Sequence, residues 1–451
     1  MSQPRRAAVL AWWLAREAPT ARRVLALAPT VRDTLTRRRL RWTLAQALRT
    51  PWYGERLRDH GIDAGRIRRD PDPAALLAAL PPVGKEQLRA AGTGVLAGGR
   101  AHPLWFSSRS SGSTGEPFRV HYDPRAWAML KHLVKLRARA ACGVRARHRI
   151  ALLDAISVEE EGRSLAERTG RMRRVSVLAP PEHMADVLAA FRPHAIYGLP
   201  TALAEAGRVL CARGQALPCT RVFTSGELLS RATREAIARA YSARVFDVYG
   251  SSETKEIAWE CTAGSMHVNS DVVWLEVLDD DGAPAAAGTV GAIVVTLLVN
   301  RAMPLLRYRV GDRGSVRVAA CGCGLTLPQL GVVTGRDAET LELSGGRRVS
   351  PYTLTMAVER VPGVLRFQVR QLAPDRLLVQ ARLDASVDAG AAAACIRREI
   401  AAAIPGAPPA VDVERVEQLD TTSRGKARVV QPLGGGSRER ADALPSPVDD
   451  A

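Results

Sequence analysis

The residues best equipped for chemistry form a serine-rich turn. Residues 106–117 hold five serines, one threonine and two glycines between an apolar run and a strand-like segment. Clustered hydroxyl groups and backbone N–H donors are the groups that cradle a polyphosphate. The stretch is not a Walker loop, because its glycines are three apart, no lysine follows and a strand comes next. We predict a phosphate-binding loop; a flexible polar hairpin is the alternative for this stretch alone.

Two further polar segments each follow a predicted strand. The carboxyl ends of parallel strands are where α/β sheets bind ligands. Each segment supplies hydroxyl groups, a glycine that permits close backbone approach, and a carboxylate suited to Mg²⁺. The candidate residues are Ser225, Gly226 and Glu227 in the first segment and Tyr249, Gly250, Ser252 and Glu253 in the second. Asp312, beside a later turn, is a chemical match for ribose hydroxyls.

Three cysteines and a histidine suggest a metal site. Cys261 precedes His267 by six positions, and Cys321 and Cys323 flank one glycine. A Cys₃His set suits tetrahedral Zn²⁺. A buried cysteine pair beside a surface histidine is the alternative interpretation. The seven cysteines are scattered and odd in number, which argues against a disulfide framework.

The predicted secondary structure that must position these residues differs from one part of the chain to the next. Apolar residues at helical spacing predict helices over residues 1–95. From about residue 100, strand-like runs alternate with helical stretches, which indicates a mostly parallel sheet covered by helices. Successive strand patterns between 265 and 320 predict an antiparallel subdomain. Residues 336–432 have the texture of a small α+β domain, and residues 433–451 are predicted to be disordered.

Composition narrows the class of protein. The chain has 451 residues, 46% hydrophobic and 24% charged, as in globular proteins. Its longest apolar run, residues 7–15, is too short for a membrane span, so we expect a cytoplasmic protein without membrane partners. The net charge of +18 raises the alternative of a nucleic-acid-binding protein. RNA-binding motifs are missing and aromatic residues make up only 5%, so we expect no nucleic-acid partner.

Five further short motifs occur along the chain. They are residues 52–57, 81–85, 335–336, 346–351 and 424–428, in addition to the serine-rich turn and the segments around Glu253 and Asp312. With these motifs in order, the chain resembles the adenylate-forming superfamily over nearly its whole length. Within that superfamily it resembles the phenylacetate-CoA ligase-like branch, which includes capsule-biosynthesis relatives.

The resemblance implies a role for each matching residue. Tyr249 would stack on adenine, Ser252 contact the α-phosphate, Glu253 bind Mg²⁺ and Asp312 hold the ribose. Arg336 would lie near the ribose, and Lys426 would bridge the substrate carboxylate and the α-phosphate. The loop that would hold the β- and γ-phosphates comprises Ser110, Ser111, Gly112, Ser113, Thr114 and Gly115.

The resemblance also implies a fold and an activity. The expected fold is α/β: a large N-terminal domain (1–335) with mixed parallel sheets and a small antiparallel, zinc-like subdomain (about 260–330), followed by a small mobile α+β domain (336–432). The expected reaction joins a carboxylic acid and MgATP into an acyl-adenylate and then transfers the acyl group, with coenzyme A as the first choice of acceptor. An amine or a carrier-protein thiol is the alternative acceptor.

Two positions depart from the family pattern. Glu116 stands where the phosphate loop usually has lysine, which removes a phosphate contact. Ala338 replaces the usual hinge aspartate. The first departure leaves the loop without a lysine, and the second leaves open whether the C-terminal domain rotates for a second half-reaction.

Overall fold

The computed structural model describes residues 3–109, 118–162, 167–336, 340–419 and 429–433. The predicted tail, apart from Leu433, lies outside these residues. Chain contacts divide the described residues into two compact units, one formed by residues up to 143 together with 248–333 and the other by 144–247 together with the described residues from 334 to 433. Each unit therefore combines two separate stretches of chain. The domain boundaries predicted from the sequence stay a prediction.

Helices dominate the start of the first unit, as the apolar spacing predicted. Proline occupies the first position of several of them, where its missing N–H costs nothing, and Asp or Thr side chains cap four helix starts. A π-helical turn, Ala128–Leu133, joins the last two helices of this unit. The helices of the unit are α1 (Gln3–Arg23), α2 (Pro29–Ala47), α3 (Pro51–Asp59), α4 (Ala64–Arg69), α5 (Pro73–Ala78), α6 (Lys85–Ala90), α7 (Pro124–Trp127) and α8 (Val134–Ala141).

The predicted antiparallel region is confirmed in the same unit. Strand β9 pairs antiparallel with its neighbours β8 and β13, and β11 pairs antiparallel with β10 and β12. A separate hairpin joins β1 to β2. The strands are β1 (Phe106–Arg109), β2 (Arg119–Tyr122), β7 (Arg244–Ser251), β8 (Lys255–Glu260), β9 (Met266–Val268), β10 (Val273–Leu278), β11 (Gly291–Leu297), β12 (Tyr308–Arg317) and β13 (Gln329–Arg336), of which β7 begins and β13 ends in the second unit.

The second unit contains the predicted parallel sheet. Strand β3 lies between β4 and β5, and β5 also pairs with β6, always in parallel. Its helices pack an apolar core against these strands, with Val222, Leu203 and Ile237 fully buried. The elements are β3 (Ile150–Asp154), β4 (Met172–Ser176), α9 (Pro181–Phe191), β5 (Ala195–Gly198), α10 (Pro200–Ala212), β6 (Arg221–Ser225) and α11 (Arg231–Tyr241).

The C-terminal stretch of the second unit has the α+β texture that the sequence predicted. Four strands in the order β18-β17-β16-β19 carry two helices and a core of their own. The elements are β14 (Leu341–Leu343), β15 (Arg347–Val349), α12 (Pro351–Glu359), β16 (Val364–Ala373), β17 (Arg376–Leu383), α13 (Ala389–Ala403), β18 (Ala410–Arg415) and β19 (Val430–Gln431). Among the described residues, no helix is both long and apolar enough to span a membrane.

Candidate functional site

Strands β1 and β2, which flank the serine-rich segment in the sequence, pair with each other. Phe106 lies opposite Tyr122 and Arg109 opposite Arg119. The Phe106 ring stacks on buried Trp127, with 5.2 Å between ring centroids. The predicted strand after the loop is thus confirmed. The loop residues Ser110, Ser111, Gly112, Ser113, Thr114 and Gly115 lie outside the described residues, and their phosphate role stays a prediction.

A tight turn after β7 positions Ser252 and Glu253. The Ser251 hydroxyl accepts hydrogen bonds from the backbone N–H groups of Glu253 and Thr254, both at 3.1 Å. Gly250 is required here, since a Cβ atom at this position would lie 2.2 Å from the carbonyl oxygen of Lys255. The close approach of Gly250 to the Lys255 carbonyl fixes the backbone on either side of Glu253.

Hydroxyl groups and a lysine surround Glu253, which is only 7% exposed. The Tyr122 hydroxyl donates to the Glu253 backbone carbonyl at 2.6 Å, and the Tyr308 hydroxyl to its Oε1 at 3.4 Å. Lys85 Nζ lies 3.5 Å from the same Oε1. Burial, followed by the charge of Glu253, raises the pKa of both tyrosines, so they remain protonated donors at neutral pH. The carboxylate is thereby held in one orientation.

Tyr249 and Asp312 come together although 63 positions separate them. The Tyr249 hydroxyl donates a 2.8 Å hydrogen bond to Asp312 Oδ2. Asp312 lies on β12 directly after Gly311, whose φ of 91° favours glycine. The ring predicted to stack on adenine and the carboxylate predicted to bind ribose are therefore neighbours.

Sequence reasoning gave no role to Lys85 or Tyr308. The segment before α6 pairs with the start of β12: the Val83 N–H donates to the Arg307 carbonyl at 2.8 Å, and the Arg309 N–H to the Val83 carbonyl at 2.9 Å. This pairing brings Lys85 to Glu253. The sequence did contain a signal that could have singled out Lys85: it is one of only five lysines in an arginine-rich chain.

The carboxylate of Glu227 has a different environment in the second unit. It accepts hydrogen bonds from the backbone N–H of Thr201 at 3.0 Å and from the Thr201 hydroxyl at 2.8 Å, at the start of α10. A carboxylate there stabilises the helix N-terminus. Gly226 has φ of 88°, as a turn after β6 requires. The ligand roles of Ser225, Gly226 and Glu227 stay predictions.

A buried ion cluster joins α10 to the C-terminal strands of the same unit. Glu205 Oε1 lies 2.8 Å from Arg382 and 3.4 Å from Arg366, and Oε2 lies 3.3 Å from Arg208. Burial alone would raise the pKa of Glu205, but the arginines outweigh burial and hold that pKa below its ordinary value. The residues expected at the domain junction are only partly described: Arg336 ends β13, without a described side chain, and Ala338 and Lys426 lie outside the described residues.

The four predicted zinc ligands meet in the first unit. Their candidate ligand atoms all lie within 4.8 Å of one another. Cys261 Sγ is 3.5 Å from Cys321 Sγ, and Cys323 Sγ is 3.3 Å from His267 Nε2. Two backbone N–H groups point at the sulfurs, from Ala263 to Cys261 at 3.3 Å and from Leu325 to Cys323 at 3.4 Å.

The second ring nitrogen of His267, Nδ1, has a hydrogen-bond partner of its own. His267 Nδ1 lies 3.3 Å from the Leu327 carbonyl oxygen. Such a partner fixes the tautomer that leaves Nε2 as a metal ligand. Tetrahedral ligands at ~2.3 Å from a metal are separated by about 3.8 Å, which is close to the observed spacing. The donor set and its geometry therefore fit Zn²⁺.

Comparison with known proteins adds independent information. No family model matches the chain. It is 30% identical over 250 residues to a phenylacetate-coenzyme A ligase of Thermus thermophilus, covering 52% of this chain and 55% of the relative. It is 28% identical over 255 residues to the Escherichia coli enzyme of that name, covering 52% of this chain and 56% of the relative. The chain thus spans about half the length of these curated relatives.

The fold extends the similarity beyond that half. A 2-hydroxyisobutyryl-CoA ligase, solved in the postadenylation state in complex with R3-HIB-AMP, superposes with a TM-score of 0.75. The match is 19% identical and covers 91% of each chain. The predicted α/β fold is therefore confirmed over most of the chain. In sequence the chain is similar to phenylacetate-coenzyme A ligases over about half its length, and in fold it is similar to a 2-hydroxyisobutyryl-CoA ligase over most of its length.

Proposed function

We propose that the protein is an AMP-forming carboxylate ligase that acts in the cytoplasm. A carboxylate oxygen of the acid attacks the α-phosphorus of ATP, the bond to the β-phosphate breaks and pyrophosphate leaves. A thiol sulfur of coenzyme A then attacks the acyl carbon, and AMP leaves with the electron pair of the broken C–O bond. The observation that carries this proposal is the meeting of Tyr249 with Asp312 and of Lys85 with Glu253 in one unit, on the motifs that carry the family resemblance.

Different residues of the chain would bind the nucleoside, hold the metal ion and stabilise the transition state. Tyr249 and Asp312 would bind the nucleoside, and Glu253, held by Tyr308 and Lys85, would hold Mg²⁺. The metal ion supplies neutralising charge to the phosphates. Lys426 would meet the two anions that adenylation brings together, where a fixed cation stabilises the transition state more than the separated reactants. The names of both curated relatives support coenzyme A as the acceptor.

Pyrophosphate exchange tests the first half-reaction. We expect labelled pyrophosphate to enter ATP only when the correct acid from a panel of aryl, fatty and amino acids is present, because exchange requires reversible acyl-adenylate formation. Acid-independent exchange, or none with any acid, would contradict the proposal. Mass spectrometry of reactions with coenzyme A or an amine identifies the acceptor. Turnover with an amine but not with coenzyme A would favour the alternative, since Ala338 alters the hinge.

We also propose that Cys261, His267, Cys321 and Cys323 bind a structural Zn²⁺. The ion would connect the turn after β8 to the turn before β13, and metal ligation contributes directly to folding. We expect about one zinc per chain in elemental analysis. The paired change Cys321→Ser with Cys323→Ser should abolish zinc binding and lower the melting temperature by about 10 °C.

A matched control separates zinc loss from thiol loss. Cys211→Ser removes an exposed thiol of the second unit and should leave zinc content and melting unchanged. Prolonged treatment of the unaltered protein with a chelator should reproduce the melting change of the double variant. Protein that contains well under one zinc per chain and melts identically in both variants would support the buried-cysteine interpretation instead.

A further inference from the structure

Arg307 is a buried arginine that the proposed mechanism does not use. It lies in the first unit directly before β12 and is 5% exposed. Its backbone φ of 45° falls in the left-handed region, which few residues other than glycine adopt. Such a conformation persists only where the surrounding structure holds it, and it is common near functional sites.

The guanidinium group of Arg307 connects a strand to a loop. On one side it pairs with Glu276 of β10: Nη2 lies 2.9 Å from Oε1, and Nε donates to Oε2 at 3.3 Å. On the other side Nη1 donates to the backbone carbonyl oxygens of Ala78 at 3.0 Å and Leu80 at 2.5 Å. A planar guanidinium fork can bind a carboxylate and two carbonyl oxygens together, whereas the compact ammonium group of lysine cannot. Arg307 thus anchors the chain that leaves α5 to the sheet.

The backbone of Arg307 holds the same segment. Its carbonyl oxygen accepts the 2.8 Å hydrogen bond from the Val83 N–H, and its own N–H donates to the Thr296 hydroxyl at 2.9 Å. Leu80 and Val83 are also buried, at 4% and 2% exposed. The side chain and backbone of one residue therefore fix positions 78, 80 and 83, all of which precede α6.

The anchored segment leads directly to Lys85. This lysine begins α6, two positions after Val83, and its Nζ lies 3.5 Å from Glu253 Oε1. The Tyr308 hydroxyl donates to the same oxygen. Among the described residues, these side-chain contacts of the carboxylate both fall on Oε1, so Oε2 is the oxygen left for a metal ion. A displaced Lys85 would release the carboxylate from this orientation.

The stability of the fold does not explain the buried pair well. Burial outweighs the charge of Arg307 and leaves the pKa of Glu276 above its ordinary value. A pair whose charged form is disfavoured by burial adds little net stability to a protein. The pair is better explained by the geometry that it imposes on positions 78 and 80.

We infer that Arg307 is a positioning residue for the Glu253 carboxylate. Its contacts with positions 78, 80 and 83 place Lys85, and Lys85 holds Glu253 in the orientation that suits Mg²⁺. Arg307 acts through Lys85 and touches no substrate, because its guanidinium group is buried against Glu276 and backbone carbonyl oxygens. The inference rests on the proposed function, since it assigns Glu253 to the metal ion.

Two measurements on the full chain test this role. Labelled pyrophosphate exchange gives the rate of adenylation. Electron paramagnetic resonance gives the affinity for Mn²⁺, a paramagnetic substitute for Mg²⁺, with ATP present and no acid. We expect Arg307→Lys to lower the exchange rate by about 10- to 100-fold, the scale for a small misplacement of a reacting group. Mn²⁺ binding should weaken about tenfold, as when other partners that orient metal ligands are lost, while the KM for the acid should stay nearly unchanged.

A double variant shows whether Arg307 acts through Lys85. Lys85→Met alone should reproduce both losses. In that background Arg307→Lys should cause little further loss of exchange or of Mn²⁺ affinity, because the contact that Arg307 positions is already absent. Losses that multiply in the double variant would mean that Arg307 supports only the fold, and would overturn the inference.

Hydrogen–deuterium exchange and a matched variant detect a general effect. In Arg307→Lys the backbone amides of residues 78–90 should lose protection. Arg39→Lys is the control, because Arg39 is also buried and pairs with Asp271. It should lower the melting temperature and leave pyrophosphate exchange, Mn²⁺ affinity and the protection of residues 78–90 unchanged. If Arg307→Lys fails to fold, Glu276→Gln takes its place, since it weakens the hold on the guanidinium group, and the same pattern is expected.

The possible results separate this inference from the proposed function. If the unaltered protein shows acid-dependent exchange and the folded Arg307→Lys variant equals it in exchange rate and Mn²⁺ affinity, the inference is wrong and the proposed function stands. If no acid supports exchange but Arg307→Lys weakens Mn²⁺ binding only while Lys85 is present, the positioning role stands without the proposed function. Equal loss of Mn²⁺ affinity in Arg307→Lys and Arg39→Lys would overturn the inference.

Discussion

Replacing Glu253 with Gln should lower acyl-adenylate formation by about 10²–10³-fold, the scale for loss of one preorganised electrostatic group. Glutamine keeps the size and one acceptor oxygen, so Tyr308 and Ser251 retain their partners. It removes the negative charge that a metal ion requires, and it leaves Lys85 beside a neutral group. Pyrophosphate exchange at saturating acid measures the rate, and a melting curve verifies that the fold persists.

A second measurement assigns the loss to the phosphates. AMP affinity should be nearly unchanged in Glu253→Gln, because the proposed nucleoside contacts are Tyr249 and Asp312, which hydrogen-bond to each other. Glu256→Gln is the matched control: it removes a buried carboxylate three positions later, paired with Lys135, and should change exchange by no more than a few-fold. Comparable losses in both variants, or normal exchange in Glu253→Gln, would contradict the role of Glu253.

The parallel sheet was predictable because its signals are local. Apolar strands such as β3 and β6 carry their signature within five residues, and the helices that follow have helical periodicity. The predicted alternation of strands and helices is accordingly present in the second unit, from β3 to α11. The placement of Glu253 at the end of a strand followed from the same reasoning.

Contacts across the chain were not predictable in the same way. The Tyr249–Asp312 hydrogen bond joins β7 to β12, and no local pattern encodes that distance. Glu227 and Glu253 looked equivalent in the sequence, yet one contacts a helix N-terminus and the other lies among hydroxyls and a lysine. The four candidate zinc ligands were predictable only in part. Their residue types could be recognised in the sequence, but their meeting in space depends on the pairing of β9 with β13.

A buried network holds the strand that carries His267. Asp271, fully buried after β9, contacts Arg137 of α8 at 2.6 Å and Arg39 of α2 at 3.2 Å. Asn269 accepts a 2.6 Å hydrogen bond from Arg137 and donates a 2.9 Å hydrogen bond to the Glu256 carbonyl. The carboxylate thus joins two helices to the connection between β9 and β10.

Replacing Asp271 with Ala should therefore lower the free energy of unfolding by about 3–5 kcal/mol, because two buried guanidinium groups lose their counter-charge. Asp33→Asn is the matched control, since Asp33 pairs with Arg37 at 2.8 Å in an exposed position of α2 and its loss should cost less than about 1 kcal/mol. Chemical denaturation at neutral pH measures both values. A loss in Asp271→Ala no larger than in the control would mean that the network contributes little.

The stability difference should also depend on pH. Burial alone would raise the pKa of Asp271, but Arg137 and Arg39 outweigh burial and hold that pKa below its ordinary value. A carboxyl whose pKa is lower in the folded than in the unfolded state stabilises the fold fully above the unfolded-state pKa, and this contribution is lost as pH falls through the folded-state value. The gap between the unaltered protein and Asp271→Asn should therefore be constant between about pH 5 and 8 and shrink below about pH 4. A gap that widens with acid would contradict an ionised Asp271 in the folded protein.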